Sequence, residues 1–217
     1  MSSYPITLDL AGRLAIVLGA AKPAAEKVEG LLAAGARVRL IAPDPCGRLR
    51  GLASAGTIQW LDRTYRAGDL VGAWLAIAIP EELSDHLPAI VREAEARRIF
   101  LNVIDRPAEC TFAAPAIARR GDLTVAVSTA GRAPALAARI RDRIARRIGP
   151  EIERFLNLAA LARAPLAARR PDLAERRARW YALVDSDALR LLRSGHELEA
   201  KRRFQEILGI ELPEVRS

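Results

Sequence analysis

A strand–turn–helix–strand unit near the N-terminus constrains the fold of this chain more than any other feature. The apolar run Leu14–Leu18 ends in Gly19, a segment of helical composition follows to Ala34, and after Gly35 a second apolar run covers Arg37–Ala42. This is the order and the ~30-residue length of a βαβ unit. Its continuous apolar strands predict a parallel sheet that is buried on both faces.

The following segments continue the alternation of strands and helices. Apolar runs at Ile58–Leu61, Trp74–Ile79 and Ile99–Ile104 predict three more strands, and a helix is predicted over Ser84–Arg97. Alternation of this kind is typical of an open doubly wound sheet. We therefore expect a Rossmann-like α/β domain over residues 1–112.

A short segment of different character follows this domain. Strands are predicted over Thr111–Pro115 and Leu123–Val127, joined by the turn-rich stretch Arg119–Asp122. A helix is predicted over Pro134–Arg147. We expect these elements to form a small α+β segment over residues 113–149.

The rest of the chain is helical in pattern. Helical composition extends over Glu151–Leu208, with breaks predicted at Pro165, Pro171 and Gly195. We expect a helical C-terminal domain over residues 150–217.

Composition excludes several classes of protein. Of 217 residues 51% are hydrophobic, enough for a real core, and no apolar run reaches the ~18–20 uncharged residues of a membrane helix. The first ten residues carry Asp9 and no basic cluster, so no secretory signal is predicted. Cys46 and Cys110 are too few for a disulfide scaffold and, like His86 and His196, lack metal-ligand spacing. We expect a reduced, cytoplasmic setting without membrane association or a metal site.

The net charge of +8 is carried almost wholly by arginine, since only Lys22, Lys27 and Lys201 are lysine. Arginine binds phosphates, carboxylates and nucleic acids through its planar guanidinium group, so an acidic partner is one interpretation. The other is an arginine- and alanine-biased composition whose charges line solvated helix faces. No nucleic-acid partner is expected, because only 5% of residues are aromatic and they do not form stacking platforms between arginines.

The turn after the first strand has part of the pattern of a dinucleotide site. In such sites one glycine allows the tight turn, a second lets the pyrophosphate approach the backbone, and a helix N-terminus faces the phosphates. Gly19 occupies the first of these glycine positions. Ala21 occupies the second, where its methyl group leaves the pyrophosphate less room to approach the backbone. Asp44 follows the second strand and is placed for a ribose hydroxyl. A single glycine at a strand end also occurs in other parallel α/β folds.

An acidic residue follows the last strand of the predicted sheet. Asp105 comes directly after Ile99–Ile104, and ligands of doubly wound sheets bind at the carboxyl ends of strands. Asp105 is thus a candidate catalytic residue. The alternative is a structural role in a turn, because Asp-Arg-Pro is a sequence that favours turns. Asn102 is interpreted as structural, and Cys110 as a buried small apolar residue rather than a nucleophile.

A polar corner lies between the strand Leu123–Val127 and the next helix. It reads Ser128-Thr-Ala-Gly-Arg-Ala-Pro134. Hydroxyl and N–H groups at such a corner form either an anion-binding nest or a helix cap. The residues alone leave both interpretations open.

The ordered set of motifs resembles one family. Its blocks are Leu8–Arg13, the glycine turn, Leu31–Ala36, Trp74–Ala78, Arg98–Asp105, Phe112–Pro115 and Val125–Pro134. This succession resembles the precorrin-2 dehydrogenase / sirohydrochlorin ferrochelatase family, the module that also forms the N-terminal half of siroheme synthase. The Asn-Val-x-Asp and Val-Ser-x-x-Gly-x-x-Pro blocks, in this order and spacing, are its most specific part.

The resemblance implies two reactions in one pocket. NAD⁺ takes a hydride from precorrin-2 to give sirohydrochlorin, and Fe²⁺ is then inserted to give siroheme. By match, Asp105 corresponds to the family's catalytic aspartate, a candidate general base for both steps. Ser128 and Thr129 match its active-site hydroxyl pair. The residues expected to bind the cofactor are Gly19, Ala21, Lys22, Pro23, Pro43 and Asp44.

The resemblance also implies partners. The family is a homodimer whose middle segment makes the interface. Its tetrapyrrole substrate carries many carboxylates, which gives the arginine excess a use. The arginines expected to face the substrate cleft are Arg119, Arg120, Arg132 and Arg139.

Three departures from the family affect the cofactor pocket. Gly19–Ala21 replaces a three-glycine turn, Ile79–Glu82 replaces Ala-Thr-Asp-Asp, and His86 replaces an asparagine. The second change removes a hydroxyl and a backbone N–H near the nicotinamide position. Because Asp105 is retained, the alternative function is a chelatase or tetrapyrrole-binding homologue with weakened NAD binding.

Overall fold

The computed structural model describes residues 4–213. The chain divides into two compact units, the first ending at Ala114 and the second beginning at Pro115. Each unit has its own hydrophobic core. No helix within residues 4–213 combines the length and the apolar composition that crossing a membrane requires.

The first unit is built on a five-stranded parallel sheet. Its strands are β1 (Leu14–Leu18), β2 (Arg37–Ile41), β3 (Ile58–Leu61), β4 (Ala73–Ala78) and β5 (Phe100–Val103). The strand order is β3-β2-β1-β4-β5, and each neighbouring pair is parallel. The chain winds outward from β1 in both directions, which confirms the predicted Rossmann-like fold.

Helices cover both faces of this sheet. They are α1 (Pro23–Ala33), α2 (Gly47–Ser54) and α3 (Leu87–Ala96). On β1, Ala15 and Val17 pack in the core that contains α1 and α2, whereas Ile16 packs in the core that contains α3. Alternate side chains of a strand point to opposite faces, so a strand covered twice needs an unbroken apolar run. The sequence pattern does not predict α2, because its one buried residue, Leu49, leaves no apolar periodicity.

The segment after β5 is held to the strand by hydrogen bonds that involve side chains on both, Asn102 on the strand and Cys110 on the segment. The Val103 N–H donates to the Cys110 sulfur at 3.1 Å, and the Cys110 thiol donates to the Val103 carbonyl at 3.2 Å. Burial raises the pKa of the Cys110 thiol, which keeps it protonated and able to donate. Asn102 donates its side-chain amide to the Phe112 carbonyl at 3.1 Å. Asn102 and Cys110 therefore both stabilise this loop.

The strand predicted over Thr111–Pro115 is wrong. The Thr111 N–H donates to the Leu101 carbonyl at 2.8 Å, but the Leu101 N–H donates to the Thr111 hydroxyl at 2.7 Å, so a side chain takes the place of the carbonyl that would extend the ladder. The first strand of the following hairpin is instead Ala116–Arg120. It starts directly after Pro115, which has no N–H to donate.

The second unit begins with an antiparallel hairpin and continues as helices. The hairpin joins β6 (Ala116–Arg120) to β7 (Leu123–Val127) through Gly121, whose φ of +51° suits glycine. Arg119 and Arg120, predicted in the turn, are the last residues of β6. The helices are α4 (Pro134–Ala145), α5 (Pro150–Arg169), α6 (Leu173–Val184), α7 (Ala188–Arg193) and α8 (Glu197–Leu208).

Helix α5 runs through Pro165, where the sequence predicts a break. Pro165 has no N–H for the carbonyl one turn earlier, which weakens the helix. Ala162 and Leu166, on either side of it, are fully buried in the core that α5 shares with α6, α7 and α8. Tertiary packing therefore keeps the helix continuous. The breaks at Pro171 and Gly195 fall between helices, as expected.

An ion pair between a buried carboxylate and a largely exposed guanidinium joins the start of α5 to α7. Glu151 is only 2% exposed, and Arg193 donates to its Oε1 through Nε at 3.0 Å and Nη2 at 2.6 Å. The Arg193 guanidinium holds the pKa of Glu151 below its usual range. Gly149 lies against this pair, where an added Cβ would overlap the Glu151 carboxylate and displace it.

Replacing Glu151 by glutamine should lower the free energy of unfolding by about 1–3 kcal/mol, because Arg193 loses its charged acceptor. The folded-state pKa of Glu151 lies below its ordinary value, so this stabilisation is present above the ordinary value and is lost as the pH falls through the folded-state pKa. Denaturant unfolding at neutral and at acidic pH measures both effects. The difference in free energy of unfolding between wild type and variant should be smaller at acidic pH than at neutral pH.

The matched control is Glu153→Gln, which removes an exposed carboxylate from the same turn of α5. It should change the free energy of unfolding by less than about 0.5 kcal/mol. Equal destabilisation by the two variants would contradict a specific role for the Glu151–Arg193 pair.

The two cysteines should react at different rates with a maleimide. Cys46 is exposed, whereas Cys110 is partly buried and its pKa is raised by that burial. Because the thiolate is the reactive species, we expect one fast and one slow thiol, differing by about tenfold or more. Cys46→Ser should abolish the fast phase and keep the slow one. A fast phase that survives this substitution would contradict the placement of Cys110.

Candidate functional site

The carboxyl ends of four neighbouring strands carry the candidate residues of the first unit. Gly19 follows β1, Asp44 lies beyond β2, Glu82 beyond β4 and Asp105 beyond β5. Because the strands are parallel, all four segments lie along one edge of the sheet. The winding direction reverses between β1 and β4, which is where doubly wound sheets bind ligands.

The turn after β1 requires its glycine. Gly19 has a φ of +92°, and an added Cβ would lie 3.1 Å from the Ile79 Cβ and 3.3 Å from the Ile79 carbonyl oxygen. The Gly19 N–H donates to the Ile41 carbonyl at 2.9 Å. Gly19 thus permits the close approach of the chain segments that follow β1, β2 and β4.

The N-terminus of α1 supplies hydrogen-bond donors and positive charge. Within the described residues, the N–H groups of Ala21 and Lys22 donate to no protein acceptor, and the Lys22 side chain is exposed. Pro23, the first helical residue, has no N–H. The Ala21 side chain packs against the core. Free N–H groups and the helix dipole make this end of α1 suited to an anion.

The sequence analysis assigned no site role to Glu82, which lies against this turn. The Ala20 N–H donates to Glu82 Oε2 at 2.8 Å. Glu82 ends a single 3₁₀ turn, Pro80–Glu82, that follows β4. The departure at Ile79–Glu82 indicated an altered pocket. It did not indicate this contact, because the contact depends on β4 lying beside β1 in the sheet.

The turn after β2 presents Pro43 and Asp44 at the surface. Asp44 has a φ of +48°, and its carboxylate forms an ion pair with Arg50 on α2. Beside this turn, Trp60 on β3 donates its indole N–H to the Ala42 carbonyl at 2.9 Å. The position fits a ribose-binding acid. Arg50 is a second charged group at this position, and the sequence analysis missed it because α2 was not predicted.

Asp105 lies on the loop after β5 with a φ of +58°, and its side chain is exposed. Its carboxylate forms no ion pair and accepts no hydrogen bond from residues 4–213, and it does not cap the 3₁₀ turn that follows. A cavity of about 310 Å³ lies beside this loop, lined by Ser84, Leu87, Pro88, Val91, Arg106 and Glu109. The carboxylate is therefore free to interact with a ligand.

Ser128 and Thr129 lie in the second unit, between β7 and α4. Ser128 Oγ accepts the Ala130 N–H at 3.2 Å, and Thr129 Oγ1 accepts the Ala133 N–H at 3.1 Å. Both hydroxyls therefore order the turn that leads into α4. A hydroxyl that accepts in this way can still donate its own hydrogen to another acceptor.

The arginines of the second unit include two groups of different character. Those expected to face a substrate are all exposed, namely Arg119, Arg120, Arg132 and Arg139. Others form ion pairs with carboxylates of the same unit, namely Arg154, Arg170, Arg179, Arg190, Arg193 and Arg203. Part of the arginine excess therefore serves the fold itself.

A polar cluster in the first unit lies beside the amino ends of β4 and β5, at the edge opposite the candidate residues. The Tyr65 hydroxyl donates to Glu93 Oε2 at 2.5 Å, and burial together with this bond raises the pKa of Tyr65. Burial alone would raise the pKa of Glu93, but donors on Tyr65, Gly68 and Arg97 hold it below its usual range. This cluster anchors the chain before β4 to α3 and is structural.

The carboxyl edge fits a dinucleotide. Gly19 makes the tight turn with a positive φ, the loop before α1 offers unpaired N–H groups, and Asp44 is exposed where a ribose would lie. At the glycine turn itself Glu82 opposes an anion, because it places a carboxylate on that turn. Within residues 4–213, no group of three His, Cys, Asp or Glu side chains could hold a metal ion.

Three family models match successive parts of the chain. A putative NAD(P)-binding family matches residues 6–116, the central region of sirohaem biosynthesis proteins matches residues 120–147, and the sirohaem synthase dimerisation region matches residues 151–208. The first model covers the parallel sheet and its glycine turn.

Curated relatives and a solved structure agree with these models. Siroheme synthase of Pseudomonas paraeruginosa is 38% identical over 210 residues, which is 96% of this chain and 45% of that protein. Siroheme synthase 1 of Serratia proteamaculans is 32% identical over 208 residues, 96% of this chain and 44% of that protein. The chain thus spans a little under half the length of these relatives.

The solved structure is described as SirC, precorrin-2 dehydrogenase. It superposes with a TM-score of 0.74 at 18% identity, covering 94% of this chain and 98% of that one, and so shows the same fold. Together with the family models, these similarities confirm the resemblance seen in the sequence. The chain belongs to the precorrin-2 dehydrogenase / sirohydrochlorin ferrochelatase family, the module that forms the N-terminal part of siroheme synthase.

Proposed function

We propose that this chain oxidises precorrin-2 to sirohydrochlorin with NAD⁺ and then inserts Fe²⁺, as substrate, to give siroheme. Membership of the family supports this proposal, and so does the fit of the carboxyl edge to a dinucleotide. NAD⁺, when bound, accepts a hydride from the tetrapyrrole. The chain itself must orient the macrocycle, take up the protons that leave it and hold the dinucleotide.

The observation that carries the proposal is the unpaired carboxylate of Asp105. It lies at the same sheet edge as the glycine turn and is engaged by no other residue of the described chain. A carboxylate with free oxygens can accept a proton from the macrocycle during oxidation, and again from a ring nitrogen during metal insertion. We assign Asp105 as the general base of both steps.

The remaining assignments follow from the donors that each turn offers. Ser128 and Thr129 keep hydroxyl hydrogens that can donate to a carboxylate of the substrate. Gly19, Ala21, Lys22 and Pro23 would hold the pyrophosphate. Pro43 and Asp44 would hold the adenosine ribose.

One observation favours a second candidate function, a chelatase that binds NAD⁺ poorly. Glu82 occupies a backbone donor of the glycine turn, whereas nothing in the described chain engages Asp105. The two functions differ in whether NAD⁺ is reduced. Sirohydrochlorin would still accept iron if the dinucleotide site were weak.

Replacing Asp105 by asparagine should slow both reactions by about 10²–10⁴-fold, because the amide cannot take up a proton. Formation of NADH with precorrin-2, and the absorbance change when sirohydrochlorin meets Fe²⁺, measure the two rates. The matched control is Asp62→Asn, which removes an exposed carboxylate directly after β3. Wild-type NADH formation supports the first function, and iron insertion without NADH formation supports the second. An Asp105 variant as active as the control would contradict the assignment.

We further propose a homodimer in a reduced, cytoplasmic setting. The matched dimerisation region supports the dimer, and so do the exposed apolar side chains of β6 and α4, which are Ile117, Leu136 and Ile140. Light scattering should give twice the 23.6 kDa chain mass. Ile117→Asp together with Leu136→Asp should shift the protein towards the monomer, since charges at an apolar interface core are costly. A wild-type protein of single-chain mass would contradict this assembly.

A further inference from the structure

The glycine turn holds a carboxylate of the chain itself. Glu82 Oε2 accepts the Ala20 N–H at 2.8 Å and would lie 3.5 Å from a Cβ placed on Gly19. This oxygen therefore lies on the part of the turn that a bound pyrophosphate approaches. Two anions cannot share that position without strong repulsion.

The glycine turn has only a few backbone N–H groups that a phosphate could use. Between Gly19 and Pro23, the first residue of α1 and one without an N–H, the loop carries the backbone N–H groups of Ala20, Ala21 and Lys22. Glu82 engages the first of these, while the other two have no acceptor among the described residues. In this conformation the Ala20 N–H is not available to the pyrophosphate, and the negative charge of Glu82 lies beside the remaining two N–H groups.

The backbone that carries Glu82 is fixed, whereas its side chain is free to move. The Ile79 N–H donates to the Leu18 carbonyl at 2.9 Å, and the Leu83 N–H donates to the Pro80 carbonyl at 3.1 Å. Leu83 is buried in the core beside α3. Glu82 itself is exposed, so its carboxylate can rotate away from the turn without disturbing the core.

We infer that Glu82 is an internal competitor for the pyrophosphate of the dinucleotide, an inference that rests on the proposed NAD⁺-binding function. The carboxylate satisfies the Ala20 N–H while the site is empty and must leave before the phosphates bind. Binding of the dinucleotide is therefore weaker than the fold alone would allow. Glu82 sets that affinity without taking part in the chemistry.

Isothermal titration of NAD⁺ into the intact chain tests this directly. Glu82→Gln removes the charge and keeps an acceptor, and Glu82→Ala removes both. We expect both variants to bind NAD⁺ at least about fivefold more tightly than wild type, with alanine the tighter, because a like charge next to the phosphates has gone. Glu81→Gln is the matched control, because Glu81 is an exposed neighbour with no hydrogen bond within the described residues. It should stay within about twofold of wild type.

Two further ligands locate the effect. ADP-ribose carries the pyrophosphate and should gain affinity in the Glu82 variants as NAD⁺ does, whereas adenosine has no phosphate and should bind all four proteins alike. Thermal unfolding checks that each variant is folded. Binding of NAD⁺ by the Glu82 variants but not by wild type would support the inference in its strongest form.

Other results would overturn the inference. If wild type binds NAD⁺ and the Glu82 variants bind it no more tightly, Glu82 is not a competitor and the proposed function still stands. An equal gain for adenosine would also overturn it, because the effect would then not involve the phosphates. Failure of every folded variant to bind NAD⁺ would overturn both this inference and the proposed dehydrogenase function.

Discussion

The parallel pairing of β1 with both β2 and β4 is the constraint on which the site of the first unit depends. Leu18 at the end of β1 is in register with Ile41 on one side and Ala78 on the other, so the chain leaves all three strands at one edge. Gly19 then lies so close to Ile79 that an added Cβ would stand 3.1 Å from the Ile79 Cβ, closer than an ordinary van der Waals contact. That same pairing brings the carboxylate of Glu82 onto the turn.

The sequence predicted the parallel sheet well because its strands carry a simple signal. A strand covered on both faces must be apolar at every position, and Leu14–Leu18 meets that requirement without a break. Helix boundaries that depend on tertiary packing were predicted less well from the sequence. The break predicted at Pro165 did not occur, because buried neighbours in the core outweighed the missing hydrogen bond. The short helix α2 was missed because Leu49 is its one fully buried residue, which leaves no apolar periodicity in the sequence.

The same distinction applies to the candidate site. Gly19, Asp44 and Asp105 come within three residues of a strand end, so their position at the carboxyl edge could be predicted from the strands alone. The Asp44–Arg50 ion pair and the Ala20–Glu82 hydrogen bond join residues from different elements, and only the folded chain reveals them. The Thr111 hydroxyl bond to Leu101 is of the same kind, and it replaced a predicted strand with a loop.

The first unit thus contains two acidic groups whose surroundings differ. Asp105 has no partner among the described residues and is available to a substrate, whereas Glu82 is engaged by the backbone donor that a cofactor needs. We expect the first group to serve the chemistry and the second to limit cofactor affinity. Their separation along the sheet edge lets substitution alter one property without the other.

A crystal structure of the intact chain with NAD⁺ bound tests the central claim most directly. The account predicts the pyrophosphate at the Gly19–Lys22 turn, the adenosine ribose beside Asp44, and the Glu82 carboxylate turned away from the Ala20 N–H. A dinucleotide bound elsewhere, or a pyrophosphate at the turn with the Ala20–Glu82 hydrogen bond intact, would contradict it.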